Sequence, residues 1–147
     1  MLSDNSFSIH AIQEQLYKEI ETRKKAVLRT LIYVGKEAVN KARSSHKYID
    51  QTGNLTSSIG FVVLDDGVVV SKSSFPTVKK GSKGKRDGTN FLKSLIAENK
   101  KGMVLIVVAG MNYASCVEAM GLDVLISAEL YAEQKIPELL RQLGFAA

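Results

Sequence analysis

Apolar residues recur along this chain with two different periods, and the change of period marks where its elements fall. From about Ser8 to Arg43 the apolar positions Ile9, Ile12, Leu16, Ile20, Val27, Leu31, Val34, Ala38 and Ala42 are separated mostly by three and four. That spacing predicts an amphipathic helix, with Glu14, Lys18, Glu21, Lys25 and Arg29 on the polar face. No proline interrupts it, and Gly35 is its one weak interior position. About 36 residues at about 1.5 Å each give a rod of roughly 50 Å, against a radius of gyration of about 15 Å for a domain of this size. The pattern therefore predicts either a break near Thr22 to Lys25, where the apolar stripe lapses, or an end held by another subunit.

After a polar stretch, Ser44 to Gln51, the period changes. Thr52-Gly53-Asn54-Leu55 reads as a turn entering a short helical segment, with Leu55 and Ile59 four apart on one face. Asp66-Gly67 lies between the apolar runs Phe61 to Leu64 and Val68 to Val70. An Asp-Gly pair supplies the positive φ angles of a two-residue hairpin turn, so these runs are two antiparallel strands. Because they are unbroken rather than alternating, they call for cover on both faces, from this chain or from a neighbour.

The segment Ser73 to Gly88 contains one proline, three glycines and a run of positive charge, and reads as an exposed, mobile basic loop. A helix of about three turns follows over Thr89 to Lys101, capped by Thr89 or Asp87 and ended by Gly102. Met103 to Ala109 is the strongest strand by β-branched content, and its unbroken apolar run predicts a central place beside the hairpin. Tyr113 to Met120 reads as a short helix ended by Gly121, Asp123 to Ser127 as a fourth strand, and Ala128 to Leu143 as a closing helix that Pro137 kinks or restarts. The order predicts an α+β fold: a small, mainly antiparallel sheet, made of the hairpin plus two further strands, packed by a long N-terminal helix and a C-terminal helix. At 147 residues and 45% hydrophobic, residues 1–147 fit one domain.

Charge changes this picture less than its total suggests. The net charge is +5, but Lys72, Lys79, Lys80, Lys83, Lys85 and Arg86 form a stretch with no acidic residue, and without those six the rest of the chain stands at −1. The basic character belongs to one segment. No run approaches the roughly 18 apolar residues of a membrane span, and the first residues lack the basic-then-apolar order of a signal peptide, so no membrane association or export by that route is expected. Cys116 is the single cysteine, which leaves no internal disulfide or multi-thiolate metal site and fits a reducing compartment.

The residues offer little chemistry. Gly81-Ser82-Lys83-Gly84-Lys85-Arg86 has two residues between its glycines where a phosphate-binding loop needs four, has arginine where that loop needs a hydroxyl, and follows no strand. His10 and His46 have no second ligand at helical spacing, so no metal is expected. Cys116, among alanines and Val117, reads as a small apolar residue with no activating neighbour, and Glu118 as structural rather than as its partner. Asp65-Asp66 belongs to the turn. No catalytic set, cofactor or small-molecule substrate is expected. A segment with Lys79, Lys80, Lys83, Lys85 and Arg86 could contact nucleic-acid phosphates without reading sequence, although only Phe75 flanks it for base stacking.

Two stretches, Thr52-Gly53-Asn54-Leu55-Thr56-Ser57-Ser58-Ile59 and Asn112-Tyr113-Ala114-Ser115-Cys116-Val117-Glu118, together resemble the minor tail-component family of long-tailed phages (siphophages). Thr52, Gly53, Leu55, Ser58 and Ile59 match a T-G-x-L-x-x-S-I segment that opens a hairpin in that family. Tyr113, Ala114, Val117 and Glu118 match its Y-A-x-x-V-E helix start. After Glu118 the family usually has an aromatic, Gly and Thr, where Ala119-Met120-Gly121 stands here; the basic segment and the helix after it look like an insertion. The resemblance implies a non-enzymatic structural protein of the virion. It would act at the head-tail neck as a tail-completion or tail-terminator component of a phage or prophage, assembling as a homo-oligomeric ring with other neck or tail proteins. It also implies assembly in the bacterial host cytoplasm. For the basic segment the expectation is a partner, either an acidic neighbouring neck protein or DNA.

Overall fold

The computed structural model describes residues 2–44 and 48–145. Helix α1 (Leu2–Ser44) runs without a break for 43 residues, about 64 Å, so the lapse of the stripe at Thr22 to Lys25 does not interrupt it. A single turn of helix, α2 (Asn54–Ser57), leads into strands β1 (Ile59–Asp65) and β2 (Val68–Lys72). Asp66 and Gly67 adopt φ of 49° and 83° in the predicted turn. Helix α3 (Ser82–Glu98), strand β3 (Met103–Ala109), helix α4 (Ala114–Ala119) and helix α5 (Ile126–Gln142) complete an α+β chain.

The sheet has three antiparallel strands in the order β2-β1-β3. Its centre is therefore β1, whose residues from Ile59 to Leu64 are all buried. The pattern predicts β3 at the centre, but it lies on an edge. The unbroken apolar run of β3 is only half covered, with helices rather than a second strand on its faces: Met103 is exposed, Val104 to Val107 are half-buried and Val108 is buried. Phe61, Val63, Leu105 and Val107 face α1 and α5, while Val62, Leu64, Ile106 and Val108 face α3 through Leu92 and Phe75. The layers are thus helices, sheet, helix. Where α1 crosses the sheet, a Cβ on Gly35 would lie 2.7 Å from the Phe61 ring, so the weak helical position is one of close approach.

Three further expectations need correction. No fourth strand forms over Asp123 to Ser127, and the hairpin gains one further strand rather than two. Those residues instead turn into α5: the Asp123 carboxylate accepts bonds from the Ser127 amide at 3.1 Å and from the Ser127 hydroxyl. Of the two outcomes expected at Pro137, a kink or a restart, the restart does not occur: α5 runs through it as one helix. The helix predicted from Thr89 begins at Ser82, so half of the basic segment expected as loop is helical. Gly84 and Gly88, which read as loop signals, are buried positions of that helix, packed against α2 and the start of β1.

Candidate interaction surfaces

The first motif forms a platform between α1 and α3. Gly53 has φ 78°, and a Cβ there would fall 1.9 Å from the Val78 carbonyl oxygen, so both backbone conformation and space require glycine. The Thr52 hydroxyl accepts the Asn54 amide at 3.3 Å. Leu55 and Ile59 are buried, and the Ser58 hydroxyl donates to the Leu55 carbonyl at 2.6 Å. Beneath them the Asp50 carboxylate accepts the Thr56 amide at 3.1 Å, and the Tyr48 and Thr56 hydroxyls lie 3.1 Å apart. Burial raises the Tyr48 phenol above its ordinary pKa. From α1 the Arg43 guanidinium donates to the carbonyls of Thr56 (2.7 Å) and Pro76 (2.6 Å), and its burial pushes its pKa down.

The second motif packs beside the first. Ala114 is buried with Leu55, Tyr48, Met111 and Val124, and Val117 packs against that group. Tyr113 stays 39% exposed and lines a shallow cleft of about 230 Å³ with Thr52, Leu55 and Val117; desolvation raises its pKa. The Glu118 carboxylate accepts three backbone amides at the start of α5, from Val124, from Leu125 at 2.9 Å and from Ile126 at 2.9 Å. The two motifs thus build one joint, in which the Thr52, Ser58 and Glu118 side chains bond to backbone. Cys116 lies in α4. His46 lies outside the described residues. Among the described residues, no three His, Cys, Asp or Glu side chains are gathered as a metal site, and no helix is long and apolar enough to cross a membrane.

The basic segment is tethered rather than loose. Val78 exchanges two bonds with the Ser57 hydroxyl, at 2.8 and 3.4 Å; the Lys79 ammonium donates to the Asp50 carbonyl at 2.6 Å; and the Gly84 amide donates to Asn54 Oδ1 at 3.0 Å. Lys80, Lys83, Lys85 and Arg86 are exposed, the last three on the first turns of α3. Phe75 is 3% exposed in the core beside Leu92, so it offers no stacking surface next to the lysines.

Exposed apolar side chains cluster on α1 and on β2, and a half-buried apolar groove lies beside β3. On α1 every residue from 8 to 23 is exposed, including Ile9, Ile12, Leu16 and Ile20 at 50% or more. On β2, Val68, Val69 and Val70 are 67%, 44% and 42% exposed, so that run lacks the cover its pattern demands. Between β3 and α5 lies an apolar groove of about 510 Å³, with Leu105 and Val107 as floor and Ala128, Ala132 and Ile136 as one wall. Sequence reasoning missed the groove, although Ala128, Ala132 and Ile136 at intervals of four signal a narrow helix face. Compared with models of known protein families, with curated proteins and with solved structures, the chain finds no match in any of the three.

Proposed function

We propose that this protein is a structural, non-enzymatic component of a tailed-phage or prophage virion, a tail-completion or tail-terminator subunit that assembles as a ring at the head-tail neck. The carrying observation is the apolar stripe of α1, which covers the sheet over its C-terminal half and continues bare over residues 9–20. A face of that length on a monomer is surface kept for assembly. Head-to-tail contacts between unlike patches close into a ring when the rotation permits. The two motifs support the family resemblance by acting as one structural joint, with carboxylate and hydroxyl groups committed to backbone rather than poised for catalysis. Deleting the gene should leave filled heads and completed tube-like tails that do not join, seen by negative-stain electron microscopy. Normal particles, or particles lacking the protein by mass spectrometry, would refute the reading.

One observation favours a second role, non-specific contact with nucleic acid. Lys83, Lys85 and Arg86 occupy the N-terminal turns of α3, where no acidic residue sits among the first turn's side chains and the helix dipole disfavours cations. Charge held against a local cost suits an anionic partner. Duplex DNA binding that weakens steeply with salt and is lost on changing Lys80, Lys83, Lys85 and Arg86 to Ser supports that role. Binding that ignores salt removes it.

A further inference from the structure

We infer that the bare N-terminal half of α1 is an arm that docks in the groove between β3 and α5 of a second copy of this chain. The inference rests on the ring reading above and says which surfaces make the ring. At 100° per residue, Ile9, Ile12, Leu16 and Ile20 fall in the same sector, about 100° wide, as Val27, Leu31, Val34 and Ala38. The latter four pack on or beside their own sheet. The arm therefore presents to a neighbour the face that the rest of the helix presents to the sheet.

The groove offers a surface of the same kind. Leu105 and Val107 belong to the α1 face of the sheet, at the edge strand that α1 leaves half-covered. Ala128 packs in one cluster with them, and Ala132 and Ile136 line the groove beside it. Its volume, about 510 Å³, lies within the roughly 300–1,000 Å³ of pockets that take apolar groups. The arm cannot reach the groove of its own chain, because α1 is one straight-through helix whose bare half leads away from the body beyond Lys24. One chain thus carries an exposed apolar helix face and a half-covered apolar groove that only another copy can bring together.

Area argues for a closed arrangement over a single contact. Residues 8–22 form an exposed stretch about 22 Å long and about 10 Å wide, a footprint of roughly 200 Å², well under the roughly 800 Å² per partner of a standard stable interface. A copy that donates one arm and receives another, in a ring or in a reciprocal pair, doubles its contact, whereas an open pair leaves one arm and one groove without a partner.

Two measurements test this. Full-length Leu16→Asp should lose assembly, its light-scattering mass falling to the 16.1 kDa of one chain, with the thermal midpoint of that chain unchanged because Leu16 is exposed, beyond the Lys24–Asp65 pair. In a Cys116→Ser background, Leu16→Cys with Ala132→Cys should give a ladder of disulfide-linked multimers on mild oxidation, and neither single cysteine should. Wild-type and Leu16→Asp assemblies of equal mass would overturn the arm and leave the ring reading standing. A wild type that stays at 16.1 kDa up to millimolar concentration overturns both. Covalent dimers from Leu16→Cys alone would show arm pairing with arm and overturn the groove as the docking site.

Discussion

The Lys24 ammonium lies 2.8 Å from the Asp65 carboxylate, and this ion pair marks the point where α1 leaves the folded body. The hydrogen bond and the charge of Asp65 raise the Lys24 pKa above its ordinary value. A raised lysine favours the folded state below its unfolded pKa, about 10.4, and that contribution disappears as pH rises through the folded value. Wild type should therefore exceed Lys24→Met in denaturation midpoint at pH 8, and that margin should shrink as pH rises above about 10.4. A margin that stays flat as pH rises would show that the pair does not tie α1 to the hairpin.

Glu118 caps α5 with three backbone amides. Removing a charged acceptor from amides at a helix start costs about 2 kcal/mol, or about 6 °C in Tm for a chain of this size. Glu118→Ala should fall by that amount and Glu118→Gln by less, since one oxygen still accepts. Thermal melts of the two variants check it, and an unchanged Glu118→Ala would remove the structural reading of the second motif.

At Gly84 two effects of opposite sign compete. In an isolated helix, Gly→Ala gains about 1 kcal/mol. Here the new Cβ would sit 1.9 Å from the Asn54 carbonyl oxygen and 2.6 Å from its carbon, both backbone atoms that cannot swing away. Overpacking of this kind costs about 1–3 kcal/mol, and the Gly84 amide would also lose Asn54 Oδ1. Gly84→Ala should lower the urea midpoint, whereas a rise would mean that α3 is not pressed against α2.

Local rules made the hairpin, α1 and the α+β layout legible, because Asp66-Gly67 and the stripe from Ile9 to Ala42 each specify an element without help from distant residues. The errors came where a distant contact decided. Gly84 and Gly88 look like loop residues but lie within α3, where Asn54, Ser58 and Phe75 leave no room for a Cβ and so require glycine inside a helix. Val124 and Leu125 look like a strand but turn into α5 because Glu118 and Asp123 hold the amides there. β3 looks central but lies on an edge, where helices rather than a second strand half-cover its apolar run. Of the candidate site, the motif residues were visible as a set, but that Leu55 and Ala114 meet was not, since 59 positions of chain separate them and nothing in either stretch names the other.

Charge at the start of α3 gives the last expectation. Lys83 and Lys85 are exposed, and among the described residues neither forms an ion pair. Each faces the positive end of the helix dipole, an arrangement worth about 0.3–1 kcal/mol in the wrong direction. Lys83→Glu and Lys85→Glu should therefore raise stability by about that much each, or about 1–3 °C in Tm, while weakening any attachment to DNA or to an acidic neighbour. Thermal melts and salt-dependent binding to duplex DNA separate the two consequences. A gain in Tm with binding lost would mean the lysines are kept for a partner at the expense of the fold. A fall in Tm would mean that their charge serves the fold itself, and the case for an anionic partner at this helix end would go with it.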